Sequence, residues 1–457
     1  MKIRLSRPAG KTSAVRHMIG KPNAMVNSAA SLPPTTTLLD LMRLAGGIAG
    51  EVIRHPRTFS VRTVFRKWAR HAAARRGSAN LVLNFGVKRI LLVGGSELSK
   101  AILDARPSPG GITMGEAKRK GMSFLAPHAL TISDGAEWER LRAFNEGVLE
   151  PGRPHEHERV FLGHVLAAFE TPIRDINGIR AAMSRSMLGI VFGGKAPAWL
   201  ADDVQTLVGL VQNPVKRRIM GFSGRRRRER FYAALRDLWR DPAAVRTASL
   251  LGVAHRSATA RPAGDETLLL EQLPHWMFTF TGSGTDLVAR ALTLILSDAD
   301  VRRRVETELE GTGALEEPAT IRDLALVEAC LIEGAHLFPP VTKTFHCAPA
   351  GASVAGVVIP PGMEVLHSFP LVAESDATEV RRFRPERWLE SGRVTSGFDP
   401  FLGGARGCPG RSIILHVSKA ALAVMIGRQR LTLDGVTLKT DDLPLEFPRR
   451  GVAFRPA

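Results

Sequence analysis

The sequence predicts a mainly α-helical chain carrying small β-sheets, on three observations. Apolar residues recur at helical spacing over several long stretches, above all His275–Leu296 and the run from Ile413 to Ile426. Strand character is confined to short runs such as Leu81–Phe85 and Arg89–Val93. With 457 residues, 44% of them hydrophobic, the chain can bury a sizeable core, and it contains no internal repeat.

Taken in order, residues 1–36 carry Lys2, Arg4, Arg7, Lys11, Arg16 and Lys21, with no acidic residue before Asp40. Ser, Thr and Pro are frequent there, so this stretch reads as a disordered arm. A transit peptide is the secondary reading. Residues 37–76 read as helical and end in the basic run Arg66–Arg76 before Gly77. Leu38–Ile53 is interrupted by Asp40, Arg43 and Glu51 and reads as an amphipathic surface helix. No stretch of about 18 uncharged apolar residues exists, so no transmembrane anchor is expected. The resulting division is a basic extension over 1–58 and a single domain over 59–457.

Two strands around a turn follow from Leu81, then a helix over Ser96–Ala105. Residues 107–133 read as a loop-rich segment because of their glycines and prolines. Trp138 and Arg142 stand four apart, hence on one helical face. Arg180–Gly193 reads as an apolar core helix whose methionines pack. Lys216–Arg218, Arg225–Arg228 and Arg230 make residues 214–230 strongly basic. This stretch reads as a solvated loop or helix start, or as a rim that attracts acidic substrates, carrier proteins or a membrane surface. His275–Leu296 is interrupted by Thr281-Gly282-Ser283-Gly284-Thr285. Small residues there admit a flat cofactor and allow a kink.

Composition narrows the class further. Cys330, Cys347 and Cys408 are the only cysteines and form no CxxC pair. A disulfide framework or zinc site is therefore not expected, and a reducing, cytoplasmic location is. The net charge of +19 suits an acidic partner, but the arginines are dispersed and no nucleic-acid motif is present.

The organising stretch is Phe401–Gly410, FLGGARGCPG. Its glycines let the backbone pass close to a flat ligand. Pro409 directly after Cys408 reads as a first helical residue, so the cysteine lies just before a helix N-terminus, which favours a thiolate. A buried thiolate with Arg406 two residues upstream suits an iron porphyrin bearing anionic propionates. Phe401, Gly404, Arg406, Cys408 and Gly410 match every specified position of the haem-binding loop of cytochromes P450. The chain resembles that family over about residues 60–457.

The resemblance implies the cytochrome P450 fold, a helical bundle around haem b with small β-sheets. It implies Cys408 as the iron ligand, and Phe401, Gly404, Arg406 and Gly410 as the loop that holds the cofactor. Trp138, Arg142 and His346 would help bind propionates. Thr285, with Gly284 at the family's acidic position, marks the oxygen-activating part of the long helix. Asp286 comes one residue late, about 100° around the helix. Glu333, His336 in place of an arginine, and Arg387 would form a buried charged cluster supporting the cysteine loop. Cys330 and Cys347 are expected to be structural.

The implied activity is a haem-thiolate monooxygenase acting on a small hydrophobic substrate, with residues 107–133 and 199–222 lining the pocket. Electrons would come from a separate ferredoxin and ferredoxin reductase. Loss of the acid at Gly284 leaves open a peroxide-using or rearranging haem-thiolate enzyme. His336 leaves open a degenerate, non-catalytic member.

Overall fold

In the computed structural model the described residues are 30–54, 60–259, 266–375, 381–390 and 398–457. Most of the predicted basic arm lies outside them. Its last part does not behave as an arm. Ser31 and Thr35 bridge Val357 and Val82, and Thr36 and Val82 exchange backbone hydrogen bonds with the opposite segment at 2.8–2.9 Å. The backbone of 31–36 thus satisfies its polar groups on the sheet, which composition alone could not reveal.

Helices α1 (Leu38–Arg54) and α2 (Val61–Arg76) fill the stretch expected to be helical. Ser60 caps α2 and Gly77 closes it in the left-handed region, the usual start and stop. The two helices are joined through buried Asp40, which pairs with Arg75 at 2.9 Å and with Arg76, while its carbonyl accepts Trp68 Nε1 at 2.7 Å. A five-stranded sheet follows the order β1-β2-β7-β4-β3, with β1 Leu81–Asn84, β2 Arg89–Val93, β3 Thr113–Met114, β4 Lys343–Ala348 and β7 Met363–Ser368. The β2–β7 pair is parallel and the others antiparallel. Register sets Met114 opposite His346 and His346 opposite Val365. Hairpins β5–β6 (Ala352–Val354, Val357–Ile359) and β8–β9 (Leu431–Gly435, Val452–Pro456) stand apart.

Helix α3 (Ser96–Asp104) is as expected, but residues 107–133 are less loop-like than predicted. They contain α4 (Glu116–Met122). Its first N–H is satisfied by Glu364 Oε1 from across the fold (3.1 Å), and Glu116 pairs with Lys120 one turn later. A distant carboxylate supplies the missing cap, a partner that local sequence cannot show.

The main core is built from α5 (Gly135–Leu149), α6 (Glu158–Phe169), α7 (Ile176–Phe192) and α8 (Trp199–Gln212) around a central broken helix. The basic stretch after α8 is helical: α9 (Pro214–Ile219), capped by Asn213, then α10 (Gly221–Arg240), which buries Phe231, Leu235 and Trp239. The central helix runs as α11 (Gln272–Thr279), a π-turn over Phe280–Gly284, and α12 (Thr285–Ser297). The predicted interruption thus falls on the small residues, where a wider turn costs least. Helices α13 (Ala325–Leu337) and α14 (Arg411–Ala423) pack against α12 and complete the core.

Candidate functional site

The cysteine loop is set by its own backbone. Cys408 N donates to the Phe401 carbonyl at 2.8 Å and Gly407 N to the Gly404 carbonyl at 3.1 Å. Gly404 has φ +59°, and a Cβ there would sit 2.6 Å from the Asp104 Cα at the end of α3. Only glycine allows both that conformation and that approach. Helix α14 begins at Arg411 and not at Pro409; Pro409 and Gly410 form the turn into it, and the Cys408 carbonyl accepts Arg411 N at 3.3 Å. The Gly410 N–H reaches the sulfur and, with the charges of Arg142 and Arg411, favours a thiolate, but burial outweighs them and pushes the Cys408 thiol up. The expected helix-end activation is therefore insufficient alone, and the sulfur needs a cation of its own to ionise fully.

Arg406 is buried and stitched to backbone. Its Nε donates to the Ile102 and Ala105 carbonyls (3.2 and 3.1 Å) and its Nη2 to the Ile112 carbonyl (2.8 Å). Burial lowers its pKa to about 10. Four further basic groups surround it. Lys118 on α4 is half-buried, and burial together with Arg406 brings its ammonium down to about 7. His275 on α11 is lowered to about 4 by burial and Lys118, and His367 on β7 to about 3 by burial and Arg406. His346 on β4 is driven well below its ordinary value by burial, Arg406, His367 and Lys118. Both His346 ring nitrogens and His275 Nδ1 are buried without a hydrogen-bond partner among the described residues. His367 Nε2 does meet Ser99 Oγ at 2.7 Å.

Each of these five groups is perturbed only by burial and, for all but Arg406, by other basic members of the same set. No carboxylate of the described residues acts on them. Basic groups buried without counter-charges are costly, so the cluster contributed by α4, α11, the sheet and the Arg406 loop suits an anionic ligand. Arg406 stays charged at neutral pH, and Lys118, at about 7, is charged in part until an anion beside it raises it again; together they match the two propionates of a porphyrin. Lys118 was missed from sequence because it stands in a segment read as loop, with nothing in its spacing to tie it to Arg406.

The expected propionate pair of Trp138 and Arg142 is divided. Trp138 is buried in the apolar core beside Leu141 and Phe144. Arg142 Nη1 donates to the Gly407 carbonyl and its Nε to Glu146 at 2.6 Å, so it braces the cysteine loop from outside. Phe401 also lies on this side, with the Arg411 guanidinium 5.2 Å from its ring centroid.

On the long helix, Thr285 is fully buried and donates its hydroxyl to the Thr281 carbonyl at 2.8 Å. Gly284 faces apolar neighbours, and a Cβ there would lie 2.9 Å from Ile414 Cδ1 and 3.0 Å from Met183 Cε. Asp286 points elsewhere, paired with Arg290 at 2.9 Å and with Arg449.

Glu333 on α13 is fully buried. Its Oε1 accepts the Arg384 backbone N–H (2.9 Å), and its Oε2 takes Trp388 Nε1 at 2.7 Å and Arg387 Nε at 3.0 Å. Burial, opposed chiefly by Arg387, raises its pKa to about 7. The His336 ring lies edge-on to Trp388 (5.6 Å) and 5.9 Å from Phe398. Phe398 in turn packs with Leu402, which carries the cluster's rigidity into the cysteine loop. Trp388 was not singled out from sequence, although its indole N–H supplies the donor that a second arginine would otherwise provide.

A sequence model described as Cytochrome P450 matches residues 252–452. Curated relatives include N-acetyltryptophan 6-hydroxylase ivoC of Emericella nidulans, 29% identical over 37% of this chain and 36% of that protein. Cytochrome P450 monooxygenase sphH of Aspergillus fumigatus is 29% identical over 47% of this chain and 41% of its own length. Echinocystic acid 23-monooxygenase of Saponaria officinalis is 33% identical over 35% of this chain and 32% of that protein. The aligned part thus spans well under half of each of these relatives. Among solved structures, CYP175A1 from Thermus thermophilus superposes with a TM-score of 0.66 at 19% identity, covering 93% of this chain and 99% of that one. A 6-coordinated cytochrome P450, also from Thermus thermophilus, gives 0.64 at 18% identity, with the same two coverages. At these identities the structural likeness is one of fold.

Proposed function

The chain belongs to the cytochrome P450 superfamily, and from that premise we propose that it is a haem-thiolate monooxygenase acting on a hydrophobic small molecule. The observation that carries the reading is Cys408 two residues from Arg406, which lies among basic side chains, half-buried Lys118 and the buried rings of His275, His346 and His367, that are perturbed by burial and by one another and by no carboxylate among the described residues. Iron protoporphyrin answers both needs, a metal for the sulfur and two carboxylates for the cations.

In this reading Cys408 Sγ holds the iron, with the Gly410 N–H on the sulfur tuning its basicity. Arg406 and Lys118 hold the propionates. His346, neutral in its buried position, adds a hydrogen bond and no charge. When bound, the haem would supply the activation of molecular oxygen, with one oxygen atom going to the substrate and the other leaving as water at the expense of two electrons and two protons. Thr285 keeps its proton on the Thr281 carbonyl and would turn it toward the pocket when a proton is required. Gly282 and Gly284 add no side chains to the π-turn, and the space beside Gly282 is open. The Glu333–Arg387–Trp388 cluster holds the loop rigid and takes no part in the chemistry. Electrons come from a separate ferredoxin and its reductase, and the working place is the reducing cytoplasm.

One observation favours a second reading. The family's acidic position is Gly284, and its Cβ direction is filled by Ile414 and Met183, so no carboxylate could stand there without repacking. This supports an enzyme that takes peroxide directly. The first test is the carbon monoxide difference spectrum of the dithionite-reduced protein, with Cys408→Ser beside the wild type. The strongly red-shifted Soret band of thiolate-ligated haem should be present in the wild type and absent from the variant. Turnover is then compared with ferredoxin, reductase and NAD(P)H against peroxide alone. A wild-type spectrum typical of histidine ligation, or no haem uptake, would reject the proposal.

A further inference from the structure

A second group of cations, apart from the Arg406 cluster, is contributed by α2, α12, β4 and the link between β8 and β9. Arg290 on α12 is only 5% exposed. Its Nη1 donates to the Phe338 carbonyl and its Nη2 pairs with Asp286 at 2.9 Å, while its Nε is buried without a hydrogen-bond partner among the described residues. Arg449, half exposed, takes the same Asp286 carboxylate. Arg62 on α2 and Lys343 at the start of β4 reach solvent and form no ion pair among the described residues. The charges do not balance. Burial lowers the Arg290 pKa to about 10; Asp286 opposes this, and Arg449 and Arg62 add to it. Packing around the Lys343 ammonium, 5.7 Å over the Phe345 ring, and the charge of Arg62 lower its pKa as well. Glu446, near the start of α2, accepts Ser60 Oγ at 2.8 Å and contributes to neither shift. Asp286 is thus the one carboxylate of the described residues acting among three guanidiniums and an ammonium.

Apolar and aromatic side chains accompany these cations. Phe338 and Phe447 meet edge-on at 5.6 Å, the Arg290 guanidinium lies 5.9 Å from the Phe447 ring centroid, and Val341, between α13 and β4, is 50% exposed. The cations run from the surface, at Arg62 and Lys343, to Arg290 in the core, and Asp286 directly follows Thr285. At about 3.3 Å per residue, Lys343 stands roughly 10 Å along β4 from His346 of the cofactor cluster. We propose that this set holds the acidic head of the substrate, which is therefore an organic acid, an apolar body carrying one carboxylate or sulfate, and not a neutral hydrocarbon. This rests on the monooxygenase reading and names its substrate class. A few placed charges beside an apolar and aromatic wall are what a small amphiphile requires. The surface of a protein or nucleic acid would touch Arg62 and Lys343 but could not follow the series inward to Arg290.

The test is calorimetric titration of the full-length protein as purified with decanoate, decyl sulfate and decanol, which share one apolar chain. At least one anion should bind about tenfold or more tighter than decanol, and the gap should narrow as salt is raised. The anion that binds better identifies the head group. The double variant Arg62→Gln, Lys343→Gln should lose most of this preference, and the double variant Arg62→Lys, Lys343→Arg should keep it. Both change side chains that reach solvent, and thermal unfolding that matches the wild type controls for folding. Equal affinity of the wild type for decanol and both anions would overturn the proposal. So would a glutamine variant that keeps the preference. The titration needs no turnover, so a protein without the thiolate spectrum would remove the monooxygenase reading, whereas loss of the anion preference beside a normal spectrum would remove only the acidic substrate.

Discussion

Lys118 shows how one side chain can carry opposite consequences in two states of the same protein. Without an anion beside it, its ammonium is disfavoured by burial and by Arg406, and its folded pKa of about 7 lies below its ordinary 10.5. A lysine whose pKa falls on folding lowers stability wherever the unfolded chain is protonated. Its penalty is therefore full below about pH 7 and is relieved as pH rises from 7 toward 10.5. We expect the haem-free protein to gain stability over that interval, and the Lys118→Met variant to be more stable at pH 7 and to lose this part of the pH dependence. Urea unfolding of the haem-free proteins at pH 7 and pH 9.5 measures both. With haem bound the sign should reverse, because a charge-assisted bond to a propionate is lost. Haem transfer from the variant to an apo-globin should then be roughly tenfold faster or more, from about 1.5–3 kcal/mol for such a bond. A variant that retains haem as firmly as wild type would remove Lys118 from the propionate site and leave Arg406 as its lasting cation.

At the level of elements, the central broken helix was the best-read part of the sequence and the α4 segment the worst. Thr281–Thr285 announced a break because small and polar residues cluster inside a long apolar run, and the π-turn falls on Phe280–Gly284. Cys408, Gly404 and Arg406 were legible for a related reason: each satisfies a local demand, a sulfur, a positive φ or a buried cation, that leaves a mark at fixed offset. Helix α4 was hidden because its cap comes from Glu364, far along the chain, and Trp388 because its partner Glu333 lies 55 residues away. The split of Trp138 from Arg142 was illegible for the same reason. Their spacing sets a shared face, but only packing decides that one enters the core and the other reaches Gly407. The π-turn also carries a prediction. Gly284→Ala gains helix propensity of about 0.5–1 kcal/mol and presses only on the flexible tips of Ile414 and Met183, so it should be close to neutral. Gly284→Asp adds volume and buries an unpaired carboxylate, and should cost about 2–4 kcal/mol in urea unfolding. If Gly284→Asp were instead neutral and raised reductase-driven turnover over peroxide-driven turnover, the packing argument for a peroxide-using enzyme would fail.

For the whole molecule the dominant physical fact is charge: +19 over 457 residues. Sequence supplied that number, but not how the charges are arranged. Around the cysteine loop the surface cations are largely paired, Arg106 with Glu139, Arg411 with Asp399, Lys100 with Asp104 and Arg153 with Glu150. Pairs of this kind contribute little energy in water and cancel one another at a distance. The attraction that an acidic electron donor feels should therefore come from the summed field of the molecule and not from a dedicated basic patch. Two expectations separate these cases in stopped-flow reduction of the haem protein by an acidic ferredoxin. Raising ionic strength from about 0.05 to 0.5 M, which shortens the screening length from above 10 Å to well below it, should slow second-order reduction by about tenfold or more. Replacing single arginines at the loop, such as Arg411→Gln, should change the same rate by less than about threefold, because each removal leaves an unpaired carboxylate against a large positive background. A steep loss on one such substitution with only weak salt dependence would reverse the order of the two effects. Docking would then be local, with Arg411 and its neighbours exchanging their own carboxylates for those of the donor.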